Sequence, residues 1–141
     1  SWPALIKINI KTGELIFINA GHESILLFDE NKNYEYIKSD MPPIGIIKYF
    51  TETMVKSNTI NLKDKTFVVY TDGVTEGYLK NGAELGAEGV QDIINKMTDI
   101  TPKTIVEGIE KQLNWGAEKL RDDITCMAIN IKNTELLKKN K

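Results

Sequence analysis

The apolar residues of this chain change their spacing once, and the change falls at an acid. Up to Tyr70 they alternate with polar residues or gather in short β-prone runs; from Leu85 to Leu113 they recur every third or fourth position. Alternation is the repeat of a strand with one buried face, and the longer spacing that of a helix with one apolar stripe. Strands come first and helices later, so the pattern predicts an α+β fold with helices laid over one face of a mostly antiparallel sheet.

The individual segments follow. ALIKINI at 4–10 alternates, with Ala4, Ile6, Ile8 and Ile10 on one face. KTGE supplies a turn in which Gly13 can take positive φ, and LIFINA at 15–20 is the return strand of a hairpin. SILLF at 24–28 is a further strand, with YEYI at 34–37 pairing back onto it; MPPIGI at 41–46 is a break, since its prolines and glycine exclude a central strand or helix. ETMVKSNTI at 52–60 and TFVVYT at 66–71 resume strand character. Leu85, Val90, Ile93, Ile94 and Met97 make one helical stripe, and Ile105, Val106, Ile109 and Leu113 a second. Thr101-Pro102 starts the second helix, with a capping hydroxyl followed by proline at the first helical position. NWGAEKLR at 114–121 reads as a loop with a helical end. DITCMAINI at 123–131 is apolar on both faces, which predicts a strand lying centrally in its sheet. Residues 1–131 thus read as one domain and 132–141 as a polar, basic tail.

Composition narrows the function. With 41% hydrophobic residues in 141, the chain has material for a core. Its 18 basic and 20 acidic side chains leave a net charge of −2, against the basic excess of a nucleic-acid binder. One cysteine excludes an internal disulfide and a cysteine-based zinc site, which fits a reduced, cytoplasmic setting. Ser1-Trp2-Pro3 leads straight into strand pattern, so the chain reads as a piece of a longer protein, whose upstream region could tether it to a membrane.

Two acidic positions stand in related settings. Asp72 follows the buried-type strand FVVY, whereas Asp122 and Asp123 precede the last strand. If these strands are antiparallel neighbours, the end of one lies beside the start of the other, and carboxylates fifty positions apart meet at one sheet edge. Two carboxylates that close repel unless one takes a proton or a cation sits between them. An all-oxygen site suits Mg²⁺ or Mn²⁺ rather than zinc, and Gly73, lacking a Cβ, leaves room beside an ion. On spacing alone, acids at strand ends are most often solvated loop residues or helix caps, and Asp72 could simply cap a short helix at VTEGYL.

YTDGVTEG at 70–77, NGAELG at 81–86 and RDDIT at 121–125, with NAGHESILLF at 19–28 and MPPIGI at 41–46 in the same order, resemble the C-terminal half of a metal-dependent PPM-type serine/threonine phosphatase of the SpoIIE- and RsbU-like branch. The resemblance runs through residue 131. It implies an incomplete α-β-β-α sandwich, with two helices before the last strand, and a hydrolase in which carboxylates at the sandwich edge hold two Mn²⁺ or Mg²⁺ ions that activate water. Asp72, in TDG, matches one metal-ligand position and Asp122, the first acid of DDIT, another. Asp123 and Gly73 match supporting positions. The implied substrate is a small phosphorylated protein of the anti-sigma-factor-antagonist type.

The family's other metal-binding acids belong to upstream GD motifs that do not occur here. The chain alone is therefore expected to be a very poor catalyst and, lacking part of its sandwich, to self-associate. A non-catalytic, phosphatase-like interaction or regulatory module is the alternative. Glu23 and Gly77 also depart from the pattern, standing where proline and alanine are common. Among the remaining candidates, His22 reads as a turn histidine, Cys126 as a buried small hydrophobe, Glu76 and Glu84 as solvated acids, and Trp115 as a helix-end packing residue.

Overall fold

Gly13 closes the first hairpin with φ +76°, the left-handed conformation that glycine adopts without strain. Around it pair β1 (Ala4–Asn9) and β2 (Glu14–Asn19), antiparallel and in the register Ile6↔Phe17 and Ile8↔Leu15. The computed structural model describes residues 4–19, 25–38, 48, 51–114 and 123–131. MPPIGI, His22, Glu23, residues 115–121 of NWGAEKLR, Asp122 and the tail 132–141 lie outside the described residues.

Two sheets stack. The first has the order β1-β2-β5, where β5 is Asn58–Asn61. The second has the order β4-β3-β6-β7, built from β3 (Ile25–Asp29), β4 (Tyr34–Ile37), β6 (Lys65–Tyr70) and β7 (Cys126–Asn130). Every pairing is antiparallel. Alternate residues of the second sheet serve two cores. Ile25, Leu27, Phe67 and Val69 face Leu15 and Phe17 of the first sheet, with the Phe17 and Phe67 rings 5.5 Å apart. Leu26, Phe28, Val68 and Tyr70 point the other way, onto Val90, Ile94, Ile105, Ile109 and Leu113 of the helical layer. A sheet covered on both faces needs apolar residues at every position, which is why SILLF and FVVY run without alternation.

The helical layer comprises α1 (Asp72–Thr75), α2 (Gly86–Lys96) and α3 (Pro102–Gln112). Helix α3 begins where Thr101-Pro102 predicts, and the cap is reciprocal: Thr101 Oγ1 accepts from Thr104 N at 3.1 Å, while Thr101 N donates to Thr104 Oγ1 at 2.8 Å. The fold class is the α+β arrangement expected, with mixed helices and antiparallel sheets.

Two local expectations are corrected. The strand predicted over 52–60 begins only at Asn58. Residues Glu52–Met54 form a 3-10 turn, with Met54 N donating to Thr51 O and Val55 N to Glu52 O, and Met54 and Val55 are 40% and 41% exposed. Strand β7, expected in the middle of its sheet, stands at the end of the strand order among the described residues. Its two apolar faces have another cause: Cys126 and Ala128 pack toward the helices, and Ile129 and Ile131 toward the first sheet. Strand β7 is covered from above and below, not from both sides. Leu5, Ile10 and Met127 remain exposed on the sandwich, at 67%, 60% and 42%. No helix among the described residues is long and apolar enough to cross a membrane.

Candidate functional site

Strand β6 ends in five buried residues, Thr66 to Tyr70, and delivers the chain to Thr71 at the rim of the sheet. Its partner β7 runs the opposite way in the register Tyr70↔Cys126, so the exit of one strand is the entrance of the other. The antiparallel adjacency on which the meeting of the two acidic segments depends is thus present. Asp72 is the first residue of α1 and half-buried; Asp123 is exposed, three residues before β7 begins. Asp122 adjoins Asp123 in sequence and lies outside the described residues.

Backbone bonds turn the chain at Asp72. The Thr71 carbonyl accepts from Val74 N at 2.9 Å, and the Asp72 carbonyl from Glu76 N at 2.8 Å and from Thr75 Oγ1 at 3.1 Å. Gly73, Val74 and Thr75 are buried, so the turn is seated in the core and Asp72 stands at its outer end. Across the rim, Thr71 N donates to Thr125 O at 2.9 Å, Thr125 N donates to Thr71 Oγ1 at 3.0 Å, and Thr71 Oγ1 donates to Asp123 O at 3.0 Å. Thr71 is the residue that sequence reasoning passed over. Its only signal was a hydroxyl between a buried strand and an acid.

The segment after α1 is anchored to α3. Leu79 bridges to Leu113, Tyr78 O accepts from Asn114 N at 2.7 Å, and Leu85 N donates to Gly77 O at 2.8 Å. Glu76 and Glu84 are exposed, as expected of solvated acids. Cys126 is half-buried, and burial pushes its thiol up to about 11, so it stays protonated at neutral pH and is neither a thiolate nucleophile nor a ready metal ligand. The donors at the rim are therefore carboxylate oxygens, which suit a hard divalent ion. Among the described residues no group of three or more histidine, cysteine or acidic side chains is placed to hold a metal. They fit part of a metal shell.

Comparison with known proteins bears on the family and the fold. The family model of stage II sporulation protein E, SpoIIE, matches residues 4–132. Protein IcfG of Synechocystis is 26% identical over 129 residues, covering 86% of this chain and 19% of IcfG. Two solved structures share the fold. The manganese-soaked phosphatase domain of SpoIIE from Bacillus subtilis superposes with a TM-score of 0.66 at 19% identity, covering 94% of this chain and 57% of that one. The RsbU and RsbW domains of a Mycobacterium tuberculosis protein give 0.65 at 19% identity, covering 89% and 35%. The chain thus spans less than two thirds of each of these relatives.

Proposed function

Because the chain belongs to the SpoIIE family, we propose that it is part of a metal-dependent protein serine/threonine phosphatase acting on a small phosphorylated regulator of the anti-sigma-factor-antagonist kind, in the cytoplasm. One observation carries the reading: the β6–β7 pairing brings Thr71, the residue before Asp72 at the exit of a buried strand, into hydrogen-bond contact with the backbone of Asp123. In this reading Asp72 and Asp122 are metal ligands, with Gly73 and Asp123 in support.

Two Mn²⁺ or Mg²⁺ ions, when bound, would supply a water of lowered pKa and offset the charge of the phosphate. The chain's own contribution is placement. Burial of Val68, Val69 and Tyr70 fixes the end of β6, and the buried turn Gly73–Thr75 fixes the direction in which the chain leaves it. Asp72, half-buried at that point, stands at the protein–water boundary, open to ion and substrate. An anionic group on a seated backbone gives up little freedom on coordinating an ion.

The test compares hydrolysis of p-nitrophenyl phosphate, and of a phosphoserine-bearing regulator protein, by the full-length protein, its Asp72→Asn variant and the 141-residue chain. The expected outcome is Mn²⁺-dependent turnover by the full-length protein, a loss of at least about a hundredfold in Asp72→Asn, and next to none by the chain alone. Turnover without added metal, or an Asp72→Asn variant as active as its parent, would refute the assignment. The second reading, motivated by the upstream GD motifs that the sequence lacks, is a phosphatase-like interaction module; binding of the phosphoprotein without any turnover by the full-length protein is its signature.

A further inference from the structure

The β6–β7 ladder departs from a regular sheet at one atom. Two residues facing each other in a hydrogen-bonded antiparallel position normally exchange both N–H···O bonds. Thr71 and Thr125 keep one of them, Thr71 N to Thr125 O at 2.9 Å. In the second, the Thr71 carbonyl does not take part, because it accepts from Val74 N in the first turn of α1. Thr125 N donates instead to Thr71 Oγ1, at 3.0 Å. The hydroxyl directs its own hydrogen to Asp123 O at 3.0 Å, with Thr125 O farther off at 3.5 Å. A side chain has taken over the ladder role of a carbonyl, and the chain can enter a helix at Asp72 without releasing the strand opposite.

The second observation is what this hydroxyl does not do. Thr71 is the N-cap residue of α1, with extended φ −82° and ψ 161°. A threonine there ordinarily accepts from an N–H of the first helical turn, yet Thr71 makes no side-chain cap bond. Its hydroxyl is turned sideways, across the rim, to the segment that carries the second acid.

We propose that Thr71 is a positioning residue for the metal site: its hydroxyl fixes Asp72 relative to the entry of β7 and so sets the separation of the two acid-bearing segments. The inference rests on the reading of Asp72 as a ligand. Groups that orient metal ligands without touching the ion typically change metal affinity by ~10–100-fold when removed. Valine keeps the branched shape of threonine but has neither donor nor acceptor, whereas serine keeps the hydroxyl.

Calorimetric titration of the full-length protein with Mn²⁺ alone, in the parent and in Thr71→Val, Thr71→Ser and Asp72→Asn, tests it. The expected result is binding weakened about tenfold or more in Thr71→Val, within about twofold of the parent in Thr71→Ser, and lost in Asp72→Asn. The serine rescue separates the hydroxyl from packing. A folded Thr71→Val with the parent's affinity, or a Thr71→Ser weakened as much as the valine variant, overturns the positioning role while Asp72→Asn still upholds the ligand. An Asp72→Asn that binds like its parent, or a parent that does not bind, overturns the ligand reading and this inference with it. Should Thr71→Val not fold, amide exchange in the unmodified protein decides. The Thr125 N–H must then exchange as slowly as the ladder amides of β7; exchange at the rate of an exposed loop amide would remove the clamp.

Discussion

Gly77 is where an apparently harmless change should cost the most. The resemblance to PPM-type phosphatases leads to an expectation of alanine at this position. Here an added Cβ would lie 2.5 Å from Leu113 Cδ2, 3.0 Å from Gly73 O and 3.1 Å from Val74 O. Leu113 is only 4% exposed and closes the end of α3, so it has little room to retreat. The two oxygens are backbone of α1 and cannot shift without moving the turn that carries Asp72. Overpacking of this kind costs about 1–3 kcal/mol. The φ of Gly77 is not left-handed, so alanine also restricts the unfolded chain and returns about 0.4–1 kcal/mol. Gly77→Ala should therefore destabilise by about 1–2 kcal/mol net. Leu113→Ala alone, which empties a buried leucine site, should cost about 2–5 kcal/mol. In the double variant the new methyl enters the vacated space, and the combined loss should fall short of the sum by about 1 kcal/mol. Equilibrium urea unfolding followed by far-ultraviolet circular dichroism measures all three. An alanine variant that unfolds at the parent's urea midpoint, or a strictly additive cycle, would show that Leu113 does not set the requirement for glycine.

Two further outcomes rest on other contacts. Lys32, in the β3–β4 turn at φ 64°, donates from Nζ to Asn95 O at 2.6 Å and to Met97 O at 2.8 Å, a cation on the last carbonyls of α2; Lys32→Met should lower stability by about 1 kcal/mol and speed amide exchange in the last turn of α2, and unchanged exchange there would dismiss the clasp. Burial raises the Cys126 thiol to about 11 from its ordinary 9.0, so the stability it carries is intact below the unfolded value and declines as pH climbs toward 11. The decline is at most about 2–3 kcal/mol, and Cys126→Ala, compared with its parent by urea unfolding at pH 8 and pH 10.5, should lack it; equal pH dependence of the two proteins would contradict the burial argument.

The parts of this fold that could be read from sequence are those decided within a few residues. Gly13 sits in a hairpin turn because its neighbours alternate on either side, and its φ of +76° is the one such a turn requires. Thr101-Pro102 announces α3 because cap and first turn are four consecutive residues. What alternation reports is which faces are covered, not which strands lie alongside. Strand β7 therefore read as central although it stands at the sheet's end among the described residues, its two apolar faces answering to the helices on one side and the first sheet on the other. The run 52–57 misled in the opposite sense: Met54 and Val55 are strand-prone residues, but a 3-10 turn takes up the backbone there and both side chains face water.

The site divides along the same line. The expected meeting of Asp72 with the Asp122–Asp123 segment required two strands to be neighbours, and the β6–β7 register supplies that adjacency. The role of Thr71 was not legible. Locally its hydroxyl has an obvious occupation as a helix cap, and only the presence of Thr125 and Asp123 across the rim explains why it is used otherwise. Gly77 shows the same dependence, since its neighbour Leu113 lies thirty-six positions on. Both residues flank Asp72, and both couple the turn it occupies to a distant element: Thr71 to the entry of β7, Gly77 to the end of α3. A carboxylate meant to hold an ion needs its backbone fixed from more than one side. If Asp72 is the ligand we propose, the short helix α1, gripped at its two ends, meets that need.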